Sequence, residues 1–112
     1  MNHALVLVPA GFDPGPLPPG AAVHTYGGVS TVVAALRATD APAVICSDAL
    51  SGDDLALVAA AVGHRAGQCI EVRSAGWDGE AHSPLAAACR GVVSGFGADG
   101  VRRAAALLLA SP

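Results

Sequence analysis

Three side chains in this sequence are of types that acid–base chemistry on a small molecule uses: the phenol of Tyr26, the guanidinium of Arg73 and the imidazole of His82. An arginine stays protonated at neutral pH, so Arg73 suits the binding of a carboxylate or an oxyanion. A phenol is a poor base at its ordinary pKa of about 10. Each also has a structural interpretation: a half-buried tyrosine with its hydroxyl satisfied, an incidental surface arginine, and a histidine that supports the fold.

Apolar segments and helix-capping signals predict the elements that position these side chains. The predicted strands are short apolar runs at Ala4–Val8, Ala43–Cys46, Cys69–Val72 and Val92–Val93. The predicted helices are Thr31–Ala38 with Ser30 as N-cap, a helix capped by Ser51–Asp54 that runs to Val62, and Ala98–Ala110. Four strand–helix units in series predict a parallel sheet with helices packed on it. Arg73 then lies at the carboxyl end of a strand, where open α/β sheets bind ligands.

The segment from Pro9 to Val23 is rich in glycine and proline and predicts a long loop after the first strand. Long loops in compact domains are usually functional or mobile. We expect this one to cover a ligand site, with a flexible connector as the alternative.

Three stretches, in this order, resemble the type II dehydroquinases (3-dehydroquinate dehydratases). They are Tyr26-Gly27-Gly28 ahead of a helix, Cys69 to Arg73, and His82-Ser83 followed by the glycine-rich stretch from Gly91 to Gly100. The resemblance implies an α/β, flavodoxin-like three-layer fold. Because the family's second strand and an adjoining helix have no evident counterpart between Thr39 and Pro42, we expect a reduced, four-stranded parallel sheet in a single domain, residues 1–112.

The resemblance also implies site residues. The family removes water from a cyclic β-hydroxyketone: a tyrosinate takes the proton beside the carbonyl, and a histidine helps the hydroxyl leave. Tyr26 corresponds to the tyrosine, and Arg73 stands where the family has the histidine, so these two are the predicted catalytic residues. The predicted substrate-binding residues are Ser47, Asp48, His24, Glu80, His82 and Ser83. The arginine that activates the family's tyrosine has no counterpart, because no Arg or Lys precedes Leu36.

These departures favour a divergent dehydroquinase-like enzyme, a dehydratase, cyclase or isomerase that acts on a small carbonyl substrate through an enol or enolate. Two alternatives stay open: a true 3-dehydroquinate dehydratase, and a non-catalytic ligand-binding or assembly protein. An enzyme should have Tyr26 and Arg73 facing one pocket beneath the Pro9–Val23 loop. We expect no cofactor and no metal ion, since no pair of cysteines has zinc-ligand spacing.

Composition limits the partners. The chain has six arginines, no lysine and a net charge of −3, which gives no electrostatic case for nucleic acid or an anionic membrane. No apolar run is long enough to span a bilayer, and three cysteines read as buried thiols, so we expect a cytoplasmic protein. The alanine-rich, lysine-free composition indicates a bacterial genome of high GC content, where such an enzyme could serve specialised biosynthesis.

The predicted topology leaves one face of the sheet to the C-terminal helix alone. Because exposed apolar sheet is unfavourable, we expect a homo-oligomer, a trimer or higher, to cover that face.

Overall fold

The computed structural model describes residues 3–63, 68–73, 85 and 89–110. The described residues form five strands and three helices in the order β-β-α-β-α-β-β-α. The strands are β1 (Ala4–Pro9), β2 (Ala21–Tyr26), β3 (Ala43–Cys46), β4 (Cys69–Arg73) and β5 (Gly91–Ser94). The helices are α1 (Val29–Arg37), α2 (Gly52–Val62) and α3 (Ala98–Ala110).

All five strands form one parallel sheet in the order β2-β1-β3-β4-β5. This order, with helices on both faces, is the flavodoxin-like arrangement, so the predicted fold class is confirmed. The predicted number of four strands is wrong. The additional strand is β2, which begins within the glycine- and proline-rich segment and ends beyond it at Tyr26.

β2 escaped prediction because it is an edge strand. Its residues Ala22 to Thr25 are exposed, whereas Ala4 to Val8 of β1 are buried on both faces. A continuous apolar run marks only strands that are covered on both sides, and β2 pairs with β1 alone. The mixed polar and apolar sequence of β2 therefore lacks the continuous apolar run that predicts a strand.

The two faces of the sheet are covered differently. On one face, which we call the two-helix face, α1 packs through Val32 and Leu36, and α2 packs through Val58 and Val62. On the other, α3 packs through four buried residues, Val101, Ala104, Ala105 and Leu108. Among the described helices, α3 alone packs on that face, as expected from the sequence. The rule of right-handed crossovers explains why α1 and α2, whose connections both run from β2 towards β5, lie on the other side.

The remaining connection, residues 10–20 between β1 and β2, runs in the opposite direction and crosses the α3 face. Its side chains Phe12 and Leu17 pack against the core beneath α3. Arg102 of α3 ties it down by donating a 2.8 Å hydrogen bond to the Pro14 carbonyl. Gly15, at φ +73°, leaves room for that guanidinium, because an added Cβ would lie 2.5 Å from Arg102 Nη1. The predicted loop thus exists in shorter form and takes the place of a covering helix.

Local signals fix the helix starts. In α2 the Ser51 hydroxyl accepts from the Asp54 amide and the Asp54 carboxylate accepts from the Ser51 amide, so the predicted cap is confirmed as a capping box. In α1 the N-cap is Gly28 rather than the predicted Ser30, and no side chain caps it. None of the helices in the described part of the chain is long and apolar enough to cross a membrane.

Candidate functional site

Three polar side chains meet at the carboxyl ends of β3 and β4: Ser47, Glu71 and Arg73. The Ser47 hydroxyl donates to Glu71 Oε2 at 2.5 Å, and Arg73 Nε donates to the same oxygen at 3.1 Å. Glu71 is fully buried, Ser47 is buried, and the Arg73 side chain is 22% exposed. The result is a buried, charge-paired cluster at the edge where parallel sheets bind ligands.

The register of the two strands builds this cluster. Glu71 and Arg73 are two residues apart in β4, so both side chains leave the same side of the strand. Ile45 of β3 is the register partner of Glu71 and packs on the two-helix face, which places the Glu71 carboxyl group there. Ser47 follows β3 directly, and its amide extends the ladder by donating to the Val72 carbonyl at 3.0 Å.

The second carboxyl oxygen of this glutamate, Glu71 Oε1, is buried and has no hydrogen-bond partner within the described residues. A buried polar atom without a partner is unfavourable by about 1 to 3 kcal/mol. In native proteins such atoms are few and are often satisfied by a ligand or a water molecule. Glu71 Oε1 is therefore the point in the site at which a bound donor group would be stabilised most.

Tyr26 reaches the same end of β3 from the edge strand. Its hydroxyl donates a 2.6 Å hydrogen bond to the Cys46 carbonyl, one residue before Ser47, and the residue is only 2% exposed. Burial raises the pKa of the Tyr26 phenol well above its ordinary value, although a backbone hydrogen bond at Ala49 acts in the opposite direction. A base needs a lowered pKa, so this geometry favours the structural role for Tyr26 over the catalytic one.

The predicted shared pocket beneath the loop is not found. Tyr26 packs in the core of the two-helix face, and Glu71, which holds Arg73, lies on that side too. The loop, in contrast, packs against the core under α3 on the opposite face. The loop therefore cannot cover both predicted catalytic residues, because the sheet separates it from them.

The predicted substrate-binding residues divide into four groups. Ser47 belongs to the cluster. The Asp48 carboxylate interacts instead with the Cys46 thiol, and burial raises the pKa of that thiol to about 12. Glu80, His82 and Ser83 lie outside the described residues.

His24 is placed away from the cluster. It stands in β2 at the register of Leu7, and it lines a groove of about 240 Å³ together with His3, Leu5 and Thr39. That groove opens between the edge strand and the residues after α1, whereas the cluster lies at β3 and β4. The structure therefore does not bring His24 to the predicted site residues that it describes at β3 and β4.

Sequence reasoning undervalued Glu71. A carboxylate inside a buried strand requires a partner. The structure supplies the partner within the chain, two residues away. The Glu-x-Arg spacing in a strand was the available signal, because alternate residues share a face.

The described residues hold no group of three or more His, Cys, Asp or Glu side chains placed to bind a metal ion. Cys46, Cys69 and Cys89 form no disulfide bonds with one another. Burial raises the pKa of Cys89 to about 12, so its reactive thiolate is scarce at neutral pH.

No family model matches the chain, and no curated protein matches it. The resemblance to the dehydroquinases therefore rests on the three sequence stretches that carry it.

Proposed function

We propose that this chain is a dehydroquinase-like domain that binds a small oxygenated carboxylic acid or carbonyl compound at the Ser47–Glu71–Arg73 cluster, without a tyrosinate base. One observation carries the proposal: Glu71 Oε1 has no hydrogen-bond partner within the described residues, and it belongs to a carboxylate that is paired with a guanidinium at the carboxyl edge of the sheet. The arginine suits a carboxylate or carbonyl oxygen, and the carboxylate oxygen suits a hydroxyl donor. A hydroxylated carboxylic acid presents both groups.

The Tyr26 hydroxyl is already hydrogen-bonded within the fold, which supports a binding domain that does not use a tyrosinate base. The phenol donates to the main chain of β3, and its pKa is raised by burial. Removal of a proton beside a carbonyl by Tyr26 would require breaking that hydrogen bond and ionising a buried group, both of which are unfavourable.

A second candidate is the divergent enzyme that works through an enol or enolate. The Glu71–Arg73 pair favours it, because a carboxylate oxygen can accept a proton while a neighbouring guanidinium stabilises negative charge that develops on oxygen. In this version Glu71 takes the role that the resemblance gave to Tyr26. The expected homo-oligomer and cytoplasmic location are part of either proposal.

Calorimetric titration with 3-dehydroquinate and a panel of related hydroxylated carboxylic acids tests the binding. Loss of the arginine charge in Arg73→Gln should weaken binding by roughly tenfold or more, since charge-assisted hydrogen bonds are the strong ones. Arg90→Gln is the matched control. Arg90 is exposed and precedes β5, so it lies at the amino ends of the strands, whereas the cluster lies at their carboxyl ends. Failure of the whole panel to bind at millimolar concentration would contradict the proposal.

Turnover separates the candidates. With 3-dehydroquinate, the rise of ultraviolet absorbance from the conjugated enone should be absent in the wild type and in Tyr26→Phe. Turnover that survives Tyr26→Phe but not Glu71→Gln would favour the second candidate. Turnover that Tyr26→Phe abolishes would show that the tyrosine acts as the base after all.

A further inference from the structure

The outer side of α3 carries a short apolar stripe. Arg103, Ala106, Leu107 and Ala110 are exposed and recur at the spacing that lines up residues on one side of a helix. They line a shallow groove of about 410 Å³. Leu107 is 51% exposed, and Phe96, which precedes the helix, is also 51% exposed. The Leu107 side chain projects from the helix between Ala106 and Ala110, whose small side chains leave space on either side of it.

This stripe is complementary in shape to itself. If two copies of α3 pack antiparallel about a two-fold axis that passes between Ala106 and Leu107, Leu107 of each copy faces Ala106 of the other. Arg103 then faces Ala110 of the second copy. The alanines allow the helices to approach closely, and each Leu107 fills the space that they leave, which is ridges-into-grooves packing. A contact of this kind closes after two copies.

The charges agree with the same arrangement. The last turn of α3 contains no basic residue that could interact with the partial negative charge at the carboxyl end of the helix. The antiparallel pairing brings Arg103 of the second copy to that end. Arg103 is already held in place, because its Nε donates to Asp99 Oδ2 at 2.7 Å and its guanidinium lies 4.9 Å from the centre of the Phe96 ring.

We propose that two copies of this chain associate through the α3 stripe, Arg103, Ala106, Leu107 and Ala110, about a two-fold axis. A helix of 13 residues is about 20 Å long, so the contact is smaller than a standard interface, and we expect a dissociation constant in the micromolar range. This contact closes after two copies, so it predicts a dimer in place of the trimer or higher that was expected from the sequence. It is independent of any ligand at the cluster.

Sedimentation velocity over about 1 to 500 µM protein tests the association, a range that brackets micromolar constants. The wild type should shift from monomer to dimer. Leu107→Glu places two carboxylates near the axis and should raise the dissociation constant by roughly a hundredfold. Leu57→Glu is the matched control: Leu57 is 55% exposed on α2, across the sheet, and its variant should dimerise as the wild type does.

Cross-linking gives a second readout that does not add charge. Leu107→Cys treated with a short bismaleimide should give a covalent dimer, and Leu57→Cys should not. A wild type that stays monomeric over the whole range would overturn the proposal and assign the stripe to a different partner. Dimers that form equally well in both glutamate variants, or cross-links that form equally at both positions, would also overturn it.

Discussion

Tyr26 and Glu71 are both buried polar residues on the two-helix face, and they differ in how their polar atoms are satisfied. The Tyr26 hydroxyl has a 2.6 Å hydrogen bond to the Cys46 carbonyl. Glu71 has two hydrogen bonds on Oε2 and none on Oε1 within the described residues. The family resemblance pointed to the tyrosine as the chemical centre, and the geometry points to the glutamate.

The difference shows how a buried polar group can be assigned a role. A group with its hydrogen bond complete contributes to stability, and no ligand is needed to explain it. A group with an unused acceptor is unfavourable in the free protein and becomes favourable when a donor arrives. The two residues therefore respond differently to mutation and to pH, which the following measurements detect.

The largest effect is expected for Glu71→Ala. It removes the acceptor shared by Ser47 and Arg73, and breaking a buried ion pair lowers the free energy of unfolding by about 3 to 5 kcal/mol. Urea unfolding measures the loss. Glu71→Gln is the control, since it keeps an acceptor of similar shape, and it should lose less than half as much. An alanine variant as stable as the wild type would mean that the ion pair contributes nothing net.

Tyr26→Phe should lower the free energy of unfolding by about 1 to 2 kcal/mol, because the Cys46 carbonyl loses a buried donor while the ring still fills the core. The same urea titration measures it. In contrast to the Arg73→Gln variant, the phenylalanine variant should retain ligand binding. Loss of binding with unchanged stability would reverse the comparison and make Tyr26 the functional group.

Alkaline pH should destabilise the protein through Tyr26. Its pKa is raised in the folded state, so its contribution to stability is complete below the unfolded pKa of about 10 and is lost as pH rises further, at up to about 1.4 kcal/mol per pH unit. Cys46 and Cys89, with pKa values raised to about 12, act in the same direction. The difference between the wild type and Tyr26→Phe isolates the tyrosine.

A direct titration sharpens this result, because Tyr26 is the one tyrosine in the chain. The ultraviolet absorbance of phenolate should appear in the folded protein only above the ordinary tyrosine range. Phenolate near neutral pH would contradict the structural role and restore the tyrosinate mechanism.

The smallest effect is expected for Ser47→Ala, about 1 to 1.5 kcal/mol by urea unfolding. The alanine removes one of two hydrogen bonds on Glu71 Oε2, and Arg73 still donates to that oxygen. Ser51→Ala provides a reference loss of about 1 kcal/mol from a helix cap whose hydrogen bonds go to Asp54 and not to Glu71. If Ser47→Ala leaves stability unchanged, the serine is not part of the stabilising cluster.

The sequence determined the elements whose signals are local. The continuous apolar run Ala4–Val8 marks a strand covered on both faces, and Ser51 with Asp54 forms a capping box within four residues. The alternation of Glu71 and Arg73 along one strand likewise requires only that the strand forms. Arg73 was a recognisable candidate because it follows a predicted strand at the carboxyl edge, whereas Tyr26 and Ser47 were predicted from the family resemblance.

Only the tertiary structure decided the rest. β2 is an edge strand that is recognisable by its pairing with β1, and the placement of residues 10–20 on the α3 face follows from the direction in which that connection crosses the sheet. Whether a buried polar group is satisfied depends on atoms distant in sequence. Tyr26 meets the Cys46 carbonyl 20 residues away, and Ser47 meets Glu71 24 residues away. Hydrogen bonds are directional and short-ranged. The packing of strands and helices therefore determines which of these polar atoms have hydrogen-bond partners within the described fold.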